Sequence, residues 1–288
     1  MTYNDEGLNL YRHMVTERHN IWLSRQNGAP QPWTTDAVLT KLKMTNMFRV
    51  LDPGSQFVFE LKADDPRDTI ARLVLYRITN LPSTWHAMRE ALGRYPLADD
   101  MGPDVTRALM KYRGLGNRVF SGAYIIMPEP GLVGADKLPG VVSLVRRFLD
   151  KRAERFLTAQ TQQDRYDALR SVEGLGPFLS MQVLADWGYL QDEEPDLSFV
   201  IAGPGARRGA RVLSPTLSPE EVIHDLTRQW ENHPTVALKG RSLTPMDVQN
   251  TLCEFGKYVR EVFAPRRVNP YRPAHPGEQP DPVVPAWW

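Results

Sequence analysis

The chain has only one cysteine, Cys253, in 288 residues. This excludes an internal disulfide, a zinc cluster built on cysteines and an iron–sulfur centre held by cysteines. The six histidines show no HExxH or other paired spacing, so the sequence predicts no metal site. The formal net charge is only +1. Any contact with nucleic acid must therefore come from local clusters of arginine and lysine.

Other missing motifs narrow the chemistry further. The sequence contains no GxxxxGK[ST] loop and no GxSxG motif, which argues against a kinase-type phosphate-binding loop and against a hydrolase-type serine nucleophile. No apolar run approaches the length that spans a bilayer, and the first residues lack the apolar core of a signal peptide. We therefore expect a cytoplasmic protein with no membrane partner.

Helical periodicity dominates the sequence. Apolar residues recur at helical spacing in most segments. Residues that favour helix N-termini precede several of these segments: Thr34 or Thr35, Asp68, Ser83, Ser218 and Thr244. Strand-like alternation is limited to residues 122–127. The pattern predicts one mainly α-helical domain over residues 1–263, followed by a proline-rich C-terminal tail over residues 264–288.

A tight glycine turn, Gly174-Leu175-Gly176, lies between two apolar-periodic segments and marks a helix-hairpin-helix over about residues 164–188. The backbone N–H groups of such a turn, with the next helix N-terminus, can bind a phosphate. A contact of this kind holds the DNA backbone and carries no sequence information. An ordinary corner between two helices has the same pattern, so the motif alone leaves both interpretations open.

A second glycine-rich segment surrounds two arginines. Gly203, Gly205 and Gly209 flank Arg207 and Arg208, and we predict a turn whose main chain approaches an anion while the guanidinium groups hold it. Phosphate is the natural ligand for such a turn. The alternative is a loop with no ligand.

The last helix, predicted from residue 245 to 262, carries a narrow polar stripe that consists of Asp247, Asn250, Glu254, Lys257 and Tyr258. Two carboxylates, an amide, an amine and a phenol together can bind a ligand and transfer protons. A surface ion pair between the residues at 254 and 257, worth about 0.2–0.5 kcal/mol, explains the same spacing. Spacing alone favours that simpler interpretation.

An earlier segment repeats this mixture of groups. Asn46, Arg49 and Asp52 follow one another at intervals of three, so we expect them on one helix face, with Lys43 one turn earlier. A purely structural pair between the arginine and the aspartate is the alternative. Trp85 is a candidate stacking surface for an extruded base, although tryptophans are more often core residues.

Six segments in the same order carry a family resemblance. They are WTTDAVLTKLKMTNMFRVLD, LVLYRITNLPSTW, VFSGAYI, GLGPF, FVIAGPGARRG and DVQNTLCEFGKY. Together they resemble the α-glutamyl/putrescinyl-thymine pyrophosphorylase group, also described as amino acid:DNA transferases, over about residues 33–258. That group shares its helical domain with the phage 5-hydroxymethyluracil DNA kinases and is similar to helix-hairpin-helix DNA glycosylases. The resemblance therefore implies a glycosylase-like helical fold.

The resemblance also implies a function. In the implied pathway a kinase pyrophosphorylates 5-hydroxymethyluracil in phage DNA, and a second enzyme displaces the pyrophosphate with an amine. This chain lacks the kinase loop and would be the second enzyme, working in the cytoplasm of an infected bacterial host. Its partners would be double-stranded phage DNA that contains the modified uracil, a separate upstream kinase, and a donor such as glycine, glutamate or putrescine. No resident cofactor is expected, and Mg²⁺ would arrive with pyrophosphate if at all.

Roles for single residues follow from the resemblance and the side-chain chemistry. Asp247, Glu254 and Lys257 are the expected catalytic groups. The expected pyrophosphate-binding residues are Arg49, Gly203, Gly205, Arg207 and Arg208. The expected base-binding residues are Asn46, Asp52, Asn250 and Tyr258. Gly174, Leu175 and Gly176 are expected to contact DNA.

Two other functions fit the same sequence. Asp196 lies about 20 residues beyond Gly176, close to where helix-hairpin-helix glycosylases place a catalytic aspartate. A glycosylase acting on a modified or damaged base is therefore one alternative. A non-catalytic DNA-binding module that keeps the hairpin is the other.

Overall fold

The computed structural model describes residues 3–122, 136–231, 233, 235–265 and 281–288. The described part is mainly helical and contains no strand, which confirms the predicted class. The chain divides into two compact units, the first formed by Met1–Asp52 with Pro195–Trp288 and the second by Pro53–Glu194. Whether residues 1–263 behave as one domain stays a prediction, as does the glycosylase-like fold.

The described part of the first unit contains four α-helices: α1 (Asp5–Gln26), α10 (Pro204–Leu213), α11 (Pro219–Trp230) and α12 (Pro245–Phe263). Helix α12 packs against the other three, and its apolar side fills the core of the unit. The Tyr11 ring of α1 meets Phe255 edge-on at a centroid distance of 5.3 Å. Its hydroxyl forms a 2.6 Å hydrogen bond with the Thr251 hydroxyl. The ring contact and the hydrogen bond together hold α12 in a defined position along α1.

The glycine-rich segment is a helix and not the turn expected from the sequence. Gly203 is the N-cap of α10, and the prolyl ring that follows begins the helix. The two glycines inside α10 allow close contact with α12, because a Cβ at Gly205 would lie 2.2 Å from the Cys253 sulfur. A Cβ at Gly209 would lie 2.1 Å from the Leu252 carbonyl oxygen. Composition suggested a loop, but these glycines serve helix packing.

We expect Gly209→Ala to lower the free energy of unfolding by about 1–3 kcal/mol, because the Leu252 carbonyl is part of the α12 backbone and cannot turn aside. Urea unfolding followed by circular dichroism measures this. Gly256→Ala is the matched control, since a Cβ there would meet Gly209 atoms only at 3.6 Å and beyond, which is ordinary contact. Equal stability of the two variants would contradict the packing argument.

Residues 34–52, at the end of the N-terminal part of the first unit, also differ from the prediction. No helix begins at Thr34 or Thr35; instead, Asp36 accepts the N–H groups of Val38 and Leu39 and holds residues 37–42 in turns. Only Arg49–Leu51 is helical in the following stretch, as one 3₁₀ turn. The residues at 46, 49 and 52 therefore share no helix face.

Among the residues that the structure describes, the second unit contains eight α-helices: α2 (Pro53–Val58), α3 (Pro66–Thr79), α4 (Pro82–Leu92), α5 (Pro103–Gly114), α6 (Lys137–Lys151), α7 (Ala153–Thr158), α8 (Gln162–Arg170) and α9 (Pro177–Leu190). Helix α3 is buried along almost its whole length. The guanidinium of Arg77 on α3 binds the Asp186 carboxylate on α9, with its Nη2 2.7 Å from Oδ1 and its Nε on the other oxygen. Both side chains are buried.

Several boundary predictions can be checked directly. Ser218 and Thr244 form capping boxes at the starts of α11 and α12, as predicted. Helix α3 is capped by Asp65 and α4 begins at Pro82, so the predicted caps Asp68 and Ser83 lie inside these helices. The predicted strand over residues 122–127 falls almost entirely outside the described residues.

Trp85 is not available as a stacking surface. Its side chain is completely buried, and its indole N–H donates to the Thr79 hydroxyl at 3.0 Å. In the tail, the Trp288 indole N–H donates to the Leu238 carbonyl at 3.0 Å and the ring lies edge-on to Phe48. The end of the tail therefore packs on the first unit. None of the described helices combines the length and the apolar content that crossing a membrane requires.

Candidate functional site

Polar side chains from three segments of the first unit meet around Asn46. The Arg18 guanidinium on α1 donates to the Asn46 side-chain oxygen at 2.6 Å, and the Asn46 amide donates to the Leu51 carbonyl at 2.7 Å. The Asn46 backbone N–H donates to Asp52 Oδ1 at 2.7 Å. We call this group the polar cluster. Its members are Arg18, Asn46, Arg49, Asp52, Asn250, Glu254 and Lys257.

Asp52 has an unusual environment. Part of the residue remains accessible, but its carboxyl group lies among protein atoms, and this burial raises the pKa of Asp52 to about 7. The Asn46 N–H and the positive charges of Arg18 and Arg49 oppose the rise, whereas the negative charge of Glu254 adds to it. A carboxyl group in this range changes its protonation near neutral pH.

Glu254, like Asp247, is a buried acid of the polar stripe. It is 2% exposed, and its Oε1 accepts a 2.6 Å hydrogen bond from the Lys257 amine. Its Oε2 is buried and has no hydrogen-bond partner among the described residues. Burial lowers the pKa of Lys257, but the nearby Glu254 more than offsets this, so the pKa is raised and the amine stays charged. The predicted ion pair exists, but it is not the solvated surface pair of the simpler interpretation.

Asp247 is fully buried, and both of its oxygens are engaged. Oδ1 accepts the Arg49 backbone N–H at 2.7 Å. Oδ2 accepts the N–H and the hydroxyl of Thr244 at 2.9 and 2.7 Å. Burial raises the pKa of Asp247 in spite of these bonds. Asp247 therefore caps α12 and holds the 3₁₀ turn that carries Arg49 and Asp52.

Asn250 presents one open acceptor. Its side-chain amide donates to the Thr45 hydroxyl at 3.2 Å and to the Asn46 carbonyl at 3.3 Å. The carbonyl partner fixes which end of the side chain is the amide. Its Oδ1 has no partner among the described residues and the side chain is partly exposed. An acceptor next to Asn46 is thus free to receive a ligand N–H.

Tyr258 binds Asp36, a residue for which the sequence predicts no role. Its hydroxyl donates to Asp36 Oδ2 at 2.5 Å, and the same oxygen lies 3.0 Å from His13 Nε2. Burial and the bond to Asp36 raise the pKa of Tyr258. No sequence motif marks Asp36, His13 or Arg18, because each contacts site residues that are distant in sequence.

The two arginines of α10 have different surroundings. Arg207 donates to the Ala202 carbonyl and to Glu220 Oε1, both at 3.0 Å. Arg208 is exposed and forms no hydrogen bond or ion pair within the described part of the chain. It lies near enough to Cys253 to favour the thiolate, although burial and the Glu254 charge raise the pKa of that thiol overall. The Gly203 N–H already donates to Gln249 Oε1 at 3.2 Å.

The hairpin lies in the second unit, between α8 and α9. Gly174 has a positive φ of 96°, and Gly176 is the N-cap of α9. Both glycines are exposed while Leu175 is completely buried as the anchor of the turn. The N–H groups of the two glycines have no acceptor among the described residues. The turn therefore has the exposed backbone donors that a phosphate contact needs.

Asp196, in the first unit, is exposed, and its Oδ1 accepts the N–H and the hydroxyl of Ser198 at 2.8 and 2.6 Å. It thus stabilises a local turn.

An open cavity of about 860 Å³ lies in the second unit between α5 and α6, with Arg107, Lys111 and Arg146 among its lining residues. None of the predicted site residues lines this cavity.

Comparison with known proteins places this geometry in a family. The family model described as "5-hmdU DNA kinase, helical domain" matches residues 5–266. A protein of Bacillus phage SP10 named "5-hmdU DNA kinase" is 24% identical over 223 residues, which cover 68% of this chain and 34% of that protein. The chain thus spans about a third of the length of this relative. No solved structure matches. By the extent of the family match, the chain belongs to the family of the 5-hmdU DNA kinase helical domain.

Proposed function

We propose that this protein displaces pyrophosphate from 5-pyrophosphoryloxymethyl-uracil in phage DNA with an amine. Membership of the kinase helical-domain family supports a role in modifying this base. The sequence has no phosphate-binding loop of the kinase type, which favours a step other than phosphoryl transfer. A separate kinase would supply the pyrophosphorylated substrate, and the donor would be an amino acid or a polyamine.

One observation carries the proposal, namely the buried Glu254 carboxylate with its unbonded Oε2 in the polar cluster. Leaving a buried charged oxygen without a partner is costly, so such an atom takes a partner from outside the protein, such as a ligand, an ion or an ordered water. A carboxylate in this setting suits an ammonium group. The neighbouring Lys257 and Arg208 supply positive charge for an anion on the same side of α12.

The proposed reaction forms a bond from the donor nitrogen to the exocyclic methylene and breaks the bond from that carbon to the pyrophosphate oxygen. The electron pair leaves with pyrophosphate, whose charge Arg208 and Lys257 would neutralise. Arg207 is tied to Glu220 and the α10 glycines are used in packing, so Arg208 takes the main role on α10. Arg49 lies on the same cluster.

The base must leave the duplex so that its exocyclic methylene can reach the polar cluster. Asn250 Oδ1 is an acceptor of the kind that would receive the N3–H of an extruded uracil. The Asn46 side chain is bonded at both ends, to Arg18 and to Leu51, so we assign it to holding the cluster together. The hairpin at Gly174 and Gly176 would bind a phosphate of the DNA backbone.

The first test is incubation with DNA that contains 5-pyrophosphoryloxymethyl-uracil and a panel of amines, followed by digestion to nucleosides and mass spectrometry. DNA with unphosphorylated 5-hydroxymethyluracil is the control. An aminated thymidine and stoichiometric pyrophosphate are expected. Loss of the base would instead identify a glycosylase, and binding without any change would identify a DNA-binding module.

We expect Arg208→Ala to slow amination on the order of 100-fold, as does the loss of other single groups that stabilise developing negative charge. The measurement is the single-turnover rate of pyrophosphate release. Arg211→Ala is the matched control, because Arg211 is an exposed arginine one turn later on the same helix. Equal loss in the two variants would indicate a general charge effect and sink the assignment.

A further inference from the structure

We propose that Asp52 is the catalytic base that takes the proton from the attacking amine. This inference rests on the proposed amine transfer and adds a role that neither the family match nor the sequence motifs assign. Asp52 Oδ1 is held at 2.7 Å by the Asn46 N–H. Its Oδ2 has no hydrogen-bond partner among the described residues and is not fully buried. One fixed oxygen and one open oxygen form the arrangement that proton abstraction needs.

The support behind Asp52 is continuous across the first unit. Arg18 on α1 donates to the Asn46 side-chain oxygen at 2.6 Å, and the Asn46 amide donates to the Leu51 carbonyl at 2.7 Å. Asn46 is therefore fixed through its side chain, and its backbone N–H fixes Asp52. Asp247 holds the same turn from the other side through the Arg49 N–H. Such support keeps a reacting group in place without an ordering step.

The charges that face Asp52 come from three elements. Arg18 lies on α1, Arg49 on the 3₁₀ turn and Glu254 on α12, where Lys257 is bonded to Glu254. Burial dominates over the two arginines and raises the pKa of Asp52 to about 7. A base with this pKa is ionised in useful proportion near neutral pH and is strong enough to accept a proton from an ammonium group.

The other two acids are less suited to this step. Asp247 has both oxygens occupied by Thr244 and Arg49. Glu254 gives one oxygen to Lys257, and its second oxygen is the one to which the proposed function assigns the donor ammonium. Glu254 suits holding the donor ammonium, which leaves Asp52 to remove the proton. The two carboxylates interact electrostatically, as expected for groups that share one substrate.

The proton balance of the step is closed. The donor enters as an ammonium and gives one proton to the Asp52 carboxylate. The resulting amine attacks the methylene, forms the C–N bond and expels pyrophosphate with the electron pair of the broken C–O bond. The product is a secondary ammonium, which remains protonated near neutral pH, and Asp52 returns its proton to solvent.

The test is the pH dependence of single-turnover amination in the wild type and in Asp52→Asn, between pH 5 and 9. The wild-type rate should rise with pH through about 7 and then level, because the base acts only when ionised. Asp52→Asn should lower the rate at neutral pH at least about 100-fold and lose this rise, so that only the ionisation of the donor remains visible. Asp52→Glu should recover part of the rate.

Two controls separate chemistry from folding. Asparagine keeps an oxygen for the Asn46 N–H and removes a charge that burial disfavours, so thermal unfolding of Asp52→Asn at pH 8 should occur at the wild-type temperature or above. Asp225→Asn changes a partly buried carboxylate on α11 that binds Arg228 and Gln229, and its pH profile should match the wild type.

The outcomes are distinguishable. If the wild type aminates but Asp52→Asn keeps both the rate and the rise near pH 7, Asp52 is not the base while the proposed function stands. If the wild type shows no amination with any of the donors, the proposed function is wrong and this inference is wrong with it. Loss of the rise in the folded variant supports the inference.

Discussion

Asp186→Asn should lower the free energy of unfolding of the second unit by about 3–5 kcal/mol. The Arg77 guanidinium and the Asp186 carboxylate are 3% and 0% exposed, and they bind one another in a two-pronged contact between α3 and α9. Removing one charge leaves the other buried without its counter-charge. Urea unfolding with circular dichroism and proteolysis both report the loss.

The matched control for this pair is Asp104→Asn. Asp104 binds Arg107 on the surface of α5, with 59% and 76% of the side chains exposed, and surface pairs contribute about 0–1 kcal/mol. Replacing both Arg77 and Asp186 by apolar residues of similar volume should recover part of the loss. A small effect for Asp186→Asn would mean that water reaches the pair in solution.

Asp247→Ala should lower the free energy of unfolding of the first unit by about 2–4 kcal/mol. The change removes a helix cap, worth about 0.5–2 kcal/mol, and leaves the buried Arg49 N–H without its acceptor, which costs about 1–3 kcal/mol. Because this N–H lies on the turn that carries Asp52, amination should also slow. Thermal unfolding and single-turnover rates measure the two effects.

Glu221→Ala provides the comparison for the cap alone. Glu221 closes the capping box of α11 with Ser218 and lies on the surface, and it bonds to no other segment that the structure describes. Its loss should cost only the capping energy and leave amination unchanged. Similar losses for Glu221→Ala and Asp247→Ala would show that the bond to the Arg49 N–H contributes little.

Local signals in the sequence predicted the parts of the structure that depend on neighbours in the chain. The capping boxes at Ser218 and Thr244 are present, and α12 forms as its apolar spacing indicates. The polar stripe of α12 also lies where its periodicity predicts. Periodicity could not show that Glu254 is buried and lies near Asp52, because these two residues are about 200 positions apart in sequence.

Long-range contacts explain the predictions that were wrong. A glycine-rich composition is typical of a turn, but Gly205 packs on the Cys253 side chain and Gly209 on the α12 backbone, and only the partner helix shows why a helix needs these glycines. Asn46 and Asp52 have helical spacing, yet their polar groups bond to each other and to Arg18 in place of the helix ladder. The assigned roles of the site residues stay predictions until turnover is measured.

The contact between α10 and α12 also bears on how this site can diversify. Backbone atoms define the spacing of the two helices at Gly209 and Gly256, and the Cys253 side chain packs on Gly205. Arg208 projects from this framework into solvent and can therefore be exchanged without repacking the core. A substitution at position 208 therefore changes the charge beside Cys253 and leaves the packing of the two helices in place.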